Sequence, residues 1–119
     1  MKSRQLMLGA LLIGGMIVAP IQASAYAFYW GRIAVQTSTE NSCMTIAYGV
    51  ASHLGLSGAK RGQLAITGSR YGADATITCF SGSPKAMAVI MVVSNSDAAA
   101  RKLYGELIVA IPQGRMLDY

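Results

Sequence analysis

The sequence predicts an α+β fold in which a four-stranded, mainly antiparallel sheet carries two helices on one face. Residues 86–93 are eight consecutive apolar residues, a length that suits a buried strand and is too short to cross a membrane. Two stretches, 39–54 and 97–111, repeat apolar residues at helical spacing, and two cysteines, Cys43 and Cys79, fall on different elements. The predicted order is therefore β-α-β-β-β-α, with one disulfide.

The N-terminus has the three parts of a secretory signal peptide. Two basic residues lie within the first four positions, and residues 6–18 are apolar without a charge. Small residues at 23–25 match the pattern that signal peptidase requires, so we expect cleavage after Ala25. Cleavage after Ala27 is the second choice.

The alternative is an uncleaved membrane anchor, because residues 6–25 have about the length of a spanning helix. Both interpretations place the rest of the chain outside the cytoplasm, in the periplasm or secreted, and only the anchor brings it to a membrane. Cleavage would leave one small α+β domain over residues 26–119, with its folded core over 32–112.

The charge balance does not indicate a nucleic-acid partner. The chain has ten Lys and Arg against five Asp and Glu, a net charge of +5. Lys2 and Arg4 would leave with the signal, so ten less two, or eight, basic residues remain against the same five acids, a net charge of +3. A mildly basic domain without a run of lysines does not predict nucleic-acid binding.

The first strand is predicted over residues 30–37, where apolar residues alternate with more polar ones. The first helix follows over 39–54, because Ser38 and Thr39 offer an N-cap and Gly55 offers a C-cap.

The middle of the chain predicts a basic loop and a hairpin. Residues 56–62 form the glycine-containing basic loop, and 63–68 form a short second strand. Glycines at both ends of 68–72 indicate a turn that leads into a third strand over 73–80.

The last two elements are the central strand and the second helix. The apolar run at 86–93 is the central strand, and Ser94 with Asp97 resembles the capping box that begins a helix. That helix is predicted over 97–111 and ends at Pro112.

The two cysteines are predicted to form a structural disulfide. An even number of cysteines in an exported chain favours pairing. Cys43 lies on the apolar face of the first helix and Cys79 on the apolar side of the third strand, so both point into the core. The alternative is a reactive Cys43 thiol, whose pKa the helix N-terminus would lower, but no C-x-x-C spacing supports it.

The sequence offers no constellation that predicts an enzyme. His53 is the only histidine, and no G-x-S-x-G motif supplies a nucleophile. The acids are scattered and lack the spacing of a glycosidase or metal-site pair. We therefore expect no cofactor and no metal, and interpret the protein as non-catalytic. The five acids are Glu40, Asp74, Asp97, Glu106 and Asp118.

Two basic loops are the polar feature that indicates a ligand. Lys60 and Arg61 lie in the loop over 55–62, and Arg70 lies in the hairpin over 68–72. The glycine pattern is not a phosphate-binding P-loop, since no Ser or Thr follows the lysine. These three side chains are candidate anion contacts. The same loops are the basis of the second functional hypothesis, a small hydrolase or an enzyme inhibitor. A secreted effector is a third hypothesis, which does not depend on these loops.

The uncovered face of the sheet gives the leading functional hypothesis. Two helices cover only one side, yet the strand at 86–93 is apolar whichever alternate set faces outward. Either residues 26–30 or the C-terminal tail cover that face, or it binds a second copy or an envelope or extracellular protein. The candidate interface residues are Ala65, Thr76, Thr78, Ala88, Ile90 and Val92.

Overall fold

The chain folds with one strand more than the sequence predicts. The computed structural model describes residues 26–114; the predicted signal peptide, residues 1–25, and residues 115–119 lie outside the described residues. The additional strand occupies the basic segment that was expected to be a loop. The elements are β1 Ala27–Ala34, α1 Glu40–His53, β2 Ser57–Arg61, β3 Ile66–Arg70, β4 Ala73–Phe80, β5 Met87–Ser94 and α2 Asp97–Ala110, followed by a 3₁₀ turn over Ile111–Gln113.

The five strands form one antiparallel sheet in the order β1-β5-β4-β3-β2. β1 and β2, which α1 connects, therefore lie at opposite edges. β1 begins three residues earlier than predicted, because residues 27–30 join β5 as an edge strand. Aromatic residues such as those at 28–30 favour strands. Residues 27–30 therefore belong to the sheet and do not fold over its outer face.

Both helices pack on the same face of the sheet, as predicted. α1 lies against β2, β3 and β4, and α2 lies against β1, β4 and β5. The core fills the space between the helices and the sheet. Its largest fully buried aliphatic side chains are Val35, Ile46, Val50, Ile66, Ile77, Ile90, Val92, Leu103, Leu107 and Ile111.

The helix ends are fixed by side-chain caps. The Thr39 hydroxyl caps α1, and Gly55, with a φ of 81°, ends it as predicted. α2 is capped by Ser96 and not by the predicted Ser94. The Ser94 hydroxyl instead donates to the Gly72 carbonyl at 2.9 Å and accepts from the Ser96 amide at 3.0 Å.

The turn between β3 and β4 is tighter than predicted. It consists of Tyr71 and Gly72, with φ values of 61° and 82°. Two successive positive φ values are typical of a type I′ turn, whose twist matches that of the two strands. Tyr71 is not a glycine, so this conformation costs of order 1 kcal/mol and requires compensating contacts.

The predicted disulfide joins the first turn of α1 to β4. The Cα atoms of Cys43 and Cys79 are 5.9 Å apart, and both residues are buried. Cys79 pairs with Ala88 across the β4–β5 ladder. The disulfide therefore marks the helix-covered side of both strands.

Candidate functional site: the open face of the sheet

The face of the sheet opposite the helices is apolar along β5 and most of β1, and no helix or strand of residues 26–114 packs over it. We call this surface the open face. Residues paired across neighbouring strands point to the same side of a sheet, so the register defines its members. They are Phe28, Trp30, Arg32, Ala34, Ser57, Lys60, Thr67, Ser69, Asp74, Thr76, Thr78, Phe80, Met87, Val89, Met91 and Val93.

Three residues that the sequence assigned to this face lie on the other one. Ala88, Ile90 and Val92 are fully buried beneath the helices. Successive residues of a strand point to opposite sides of the sheet. Ala88 pairs with Cys79 and so shares its side, and the Cys79 disulfide places that side against α1. The residues of β5 that face outward are therefore Met87, Val89, Met91 and Val93.

Of the other three residues that the sequence predicted for the interface, two lie on the open face and one lies in a turn. Thr76 and Thr78 lie on the open face and are half-buried. Ala65 lies in the turn before β3, where its carbonyl accepts a hydrogen bond from the Gly62 amide at 2.8 Å. Ala65 is therefore a turn residue beyond the end of the strand.

An inward tyrosine fixes β1 to α2 and so determines which side chains of β1 face outward. Tyr29 stacks on Tyr104 with 5.8 Å between ring centroids, and its hydroxyl donates to Asp97 at 2.5 Å. Arg101 pairs with the same carboxylate. Gly31 makes room for the Tyr104 hydroxyl, which a Cβ at that position would clash with.

With Tyr29 held inward, Phe28 and Trp30 project onto the open face. Phe80 joins them from β4, and Tyr26 extends the same alternation just before β1. Tyr26 lines a small surface pocket together with outward residues of β4 and β5. All four aromatic side chains are between 54 and 65 % exposed. Sequence reasoning did not assign any of these four residues to the face.

Charge lies at the perimeter of the open face. Lys60 lies on the β2 edge strand, Arg32 on the β1 edge strand, and Asp74 at the end of β4 next to the hairpin. Ser69 donates to the Asp74 carboxylate at 2.5 Å. The centre, formed by β5 with its neighbours Trp30 and Thr76, carries no charge.

The predicted anion contacts do not converge on one site. Lys60 and Arg61 are consecutive on β2, so their side chains point to opposite faces of the sheet. Arg61 donates to Thr45 Oγ1 at 2.7 Å and to the Asn41 side chain at 2.7 Å. Arg70 donates to a backbone carbonyl at the end of α1. An anion contact at these residues remains a prediction, without an assembled binding site.

A polar cluster at the hairpin tip holds the strained turn against α2. Tyr71 donates to Glu106 at 2.8 Å, and Arg70 lies 3.9 Å from the other carboxylate oxygen. Arg70 and Lys102 also approach the Tyr71 ring, at 4.7 and 4.5 Å from its centroid. These contacts offset the cost of the positive φ at Tyr71.

His53 and Glu106 lie in different surface grooves. His53 lines a surface groove along α1 with Thr45, Tyr48, Gly49 and Ser52, none of which is acidic. Glu106 lines a second groove along α2 that contains no histidine. A cleft that combines His53 with an acid would favour the hydrolase hypothesis, and neither groove supplies that combination.

We expect the Tyr71–Glu106 hydrogen bond to add to the free energy of unfolding at neutral pH, and this contribution to be lost at alkaline pH. Donation to Glu106 raises the pKa of Tyr71 above its ordinary value of about 10, desolvation adds to the rise, and Arg70 opposes it. The folded pKa exceeds the unfolded one, so this contribution is fully present below about pH 10 and is lost as the pH rises through the folded pKa. Thermal unfolding across that range measures it.

The variant Tyr71→Phe should be less stable than the wild type at neutral pH and should lack this part of the alkaline loss. Tyr48→Phe, on the exposed side of α1, is the matched control and should keep the wild-type pH profile. If Tyr71→Phe and the wild type lose stability in parallel above pH 10, the assignment is wrong.

No family model matches the chain, and comparisons with curated proteins and with solved structures give no match either. Within residues 26–114, no helix is long and apolar enough to span a membrane. The same residues contain no group of three or more His, Cys, Asp or Glu side chains placed to hold a metal ion.

Proposed function

We propose that the protein is an exported, non-catalytic interaction domain that forms a homodimer through the open face of its sheet. The observation that carries this proposal is the group of exposed aromatic side chains on that face. The predicted signal peptide and the disulfide support export, because disulfides form and persist in oxidising compartments.

The exposed aromatic area is large for a domain of this size. An aromatic side chain offers about 150–250 Å², so the exposed fractions of Tyr26, Phe28, Trp30 and Phe80 amount to roughly 360–600 Å². That alone equals the largest apolar patch of a typical monomer. Met91 and Val93, also exposed, enlarge it toward the roughly 800 Å² per partner that a stable interface buries.

The shape of the surface fits a second sheet. Sheets pack face to face at about 10 Å when both inner faces present apolar side chains, as in β-sandwiches. A second copy supplies an identical apolar face, and two-fold dimers are the commonest homo-oligomers. Trp30 lies beside Met91 of the interior strand β5, and tryptophan is among the residues most enriched at interface hot spots.

We expect the exported product to be a dimer that Trp30→Ser dissociates. The protein is expressed from its full sequence in an exporting host, and its intact mass reports whether the first 25 residues have been removed. Sedimentation velocity over a range of concentrations then gives the dissociation constant, which the substitution should raise at least about 30-fold. Trp30 is the only tryptophan, so its emission should shift to shorter wavelength as the dimer forms.

Leu64→Ser is the matched control, because Leu64 is an exposed apolar residue outside the open face. It should leave the dimer intact. A wild-type protein that stays monomeric at all concentrations contradicts the proposal. In that case, a shielded Trp30 would indicate that the chain itself covers the face, and an exposed Trp30 would indicate a different protein partner.

A further inference from the structure

Arg32 on the β1 edge strand and Asp74 at the end of β4 are placed as a self-complementary pair of charges on the open face. β1, β5 and β4 together contain two charged residues, Arg32 and Asp74, and both point to the open face. Within residues 26–114 neither takes part in an ion pair. A charge of each sign at the edge of an apolar surface is an arrangement that can select one docking geometry.

The register places these charges symmetrically about Met91. Arg32 pairs with Val89, two residues before Met91, on one side of β5. Asp74 pairs with Val93, two residues after Met91, on the other side. With ordinary strand spacings, each Cα lies about 8 Å from that of Met91, in opposite directions.

We infer that two copies pack face to face with their two-fold axis over Met91, so that Arg32 of each copy meets the partner's Asp74. The axis lies between the two sheets, perpendicular to the line that joins Arg32 to Asp74. A rotation about it exchanges the two positions, so two equivalent ion pairs form. This inference rests on the proposed homodimer and specifies its geometry.

The crossing angle follows from the same spacings. Measured from Met91, Arg32 and Asp74 each lie one strand across the sheet and two residues along it, in opposite directions. The line that joins them is therefore oblique to the strands. For flat sheets this makes the strands of the two copies cross at about 70°, nearer the orthogonal class of sheet packing than the aligned class. Met91 lies on the axis, and Trp30 and Thr76, which flank Met91 on the two neighbouring strands, lie beside it and are buried with it.

Charge reversal tests the pairing directly. Arg32→Asp alone places two carboxylates together at each contact, and Asp74→Arg alone places two guanidinium groups together. Each single variant should raise the dimer dissociation constant by about 100-fold or more, because facing like charges oppose association strongly. Mixing the two single variants should restore dimerisation as a heterodimer, since both of its contacts again join opposite charges.

The double variant Arg32→Asp/Asp74→Arg should restore the homodimer. Lys85→Asp, which changes the net charge as Arg32→Asp does but lies outside the strands, should dimerise like the wild type. All variants are purified as exported products from the full sequence, and circular dichroism confirms that each is folded. Sedimentation velocity and native mass spectrometry measure the assemblies.

The outcomes separate this inference from the proposed function. If the wild type dimerises and Trp30→Ser dissociates it, but the single reversals leave the dimer unchanged, the homodimer stands and this geometry is wrong. If both single reversals dissociate the dimer and their mixture stays monomeric, the charges do not face each other and the geometry is again wrong. A monomeric wild type overturns both.

Discussion

Replacing both Cys43 and Cys79 with alanine is expected to lower the free energy of unfolding by about 4 kcal/mol. The bond closes a loop of 36 sequence positions, and the chain-entropy model assigns that value to the closure. Small domains are stable by only about 5–15 kcal/mol in total, so the loss removes a large share. Urea unfolding of the oxidised protein and of the double variant measures it.

The reduced wild type is the control for this double variant. Reduction breaks the crosslink but keeps both sulfur atoms in the core, so any difference between the reduced wild type and the variant measures packing. Both should lie several kcal/mol below the oxidised protein. A loss under about 1 kcal/mol would contradict the structural role assigned to the bond.

The second large effect is a contrast between two neighbouring residues of β5. Ile90→Ala should cost about 2–5 kcal/mol, because Ile90 is fully buried and its truncation leaves a cavity between the sheet and the helices. Met91→Ala removes a side chain of similar size from the open face. Its cost to the monomer should stay below about 1 kcal/mol, since surface substitutions rarely exceed that.

Urea unfolding at concentrations below the dimer dissociation constant compares the two variants. In the proposed dimer Met91→Ala should also weaken association, which sedimentation velocity detects, whereas Ile90→Ala should act mainly on folding. Equal losses of monomer stability would mean that β5 is buried on both faces, contrary to the structure.

Local signals were strong enough to predict both helices, the strands at 73–80 and 86–93, and the disulfide. The prediction that 86–93 is the central strand was wrong, because β5 lies second from the β1 edge and β4 is the middle strand of the five. α1 has a capping threonine at one end and a glycine at the other, and α2 ends where Pro112 follows. These features act within a few residues, so a single sequence reveals them. The four-strand count was wrong because β2 lacks such a signal: Ser57–Arg61 contains two basic residues and a glycine, and only its pairing with β3 makes it a strand.

The sequence predicted an uncovered apolar face, but of the six residues predicted for it only Thr76 and Thr78 lie on the open face. Both sides of β5 are apolar, so its own pattern cannot reveal which side faces out. Phe80 could have been found, since it follows Cys79 and must point away from the helix that Cys79 is bonded to. Trp30 could also have been found, since the strand alternation places it on the side of Arg32, away from the apolar Ile33 and Val35. Its position beside Met91 could not, because it follows from the pairing of β1 with β5, which are distant in sequence.

The pairing of β1 with β5 also determines the order of events during folding. The first strand of the domain finds its partner only in the last: Ala27 pairs with Ser94, almost at the other end of the folded chain. Contacts between such distant segments slow folding, because a long loop must close before they form. If the chain is exported N-terminus first, as proposed, it cannot complete its sheet until nearly all of it has crossed the membrane. The aromatic residues of β1 would then stay without their β5 partner throughout that passage.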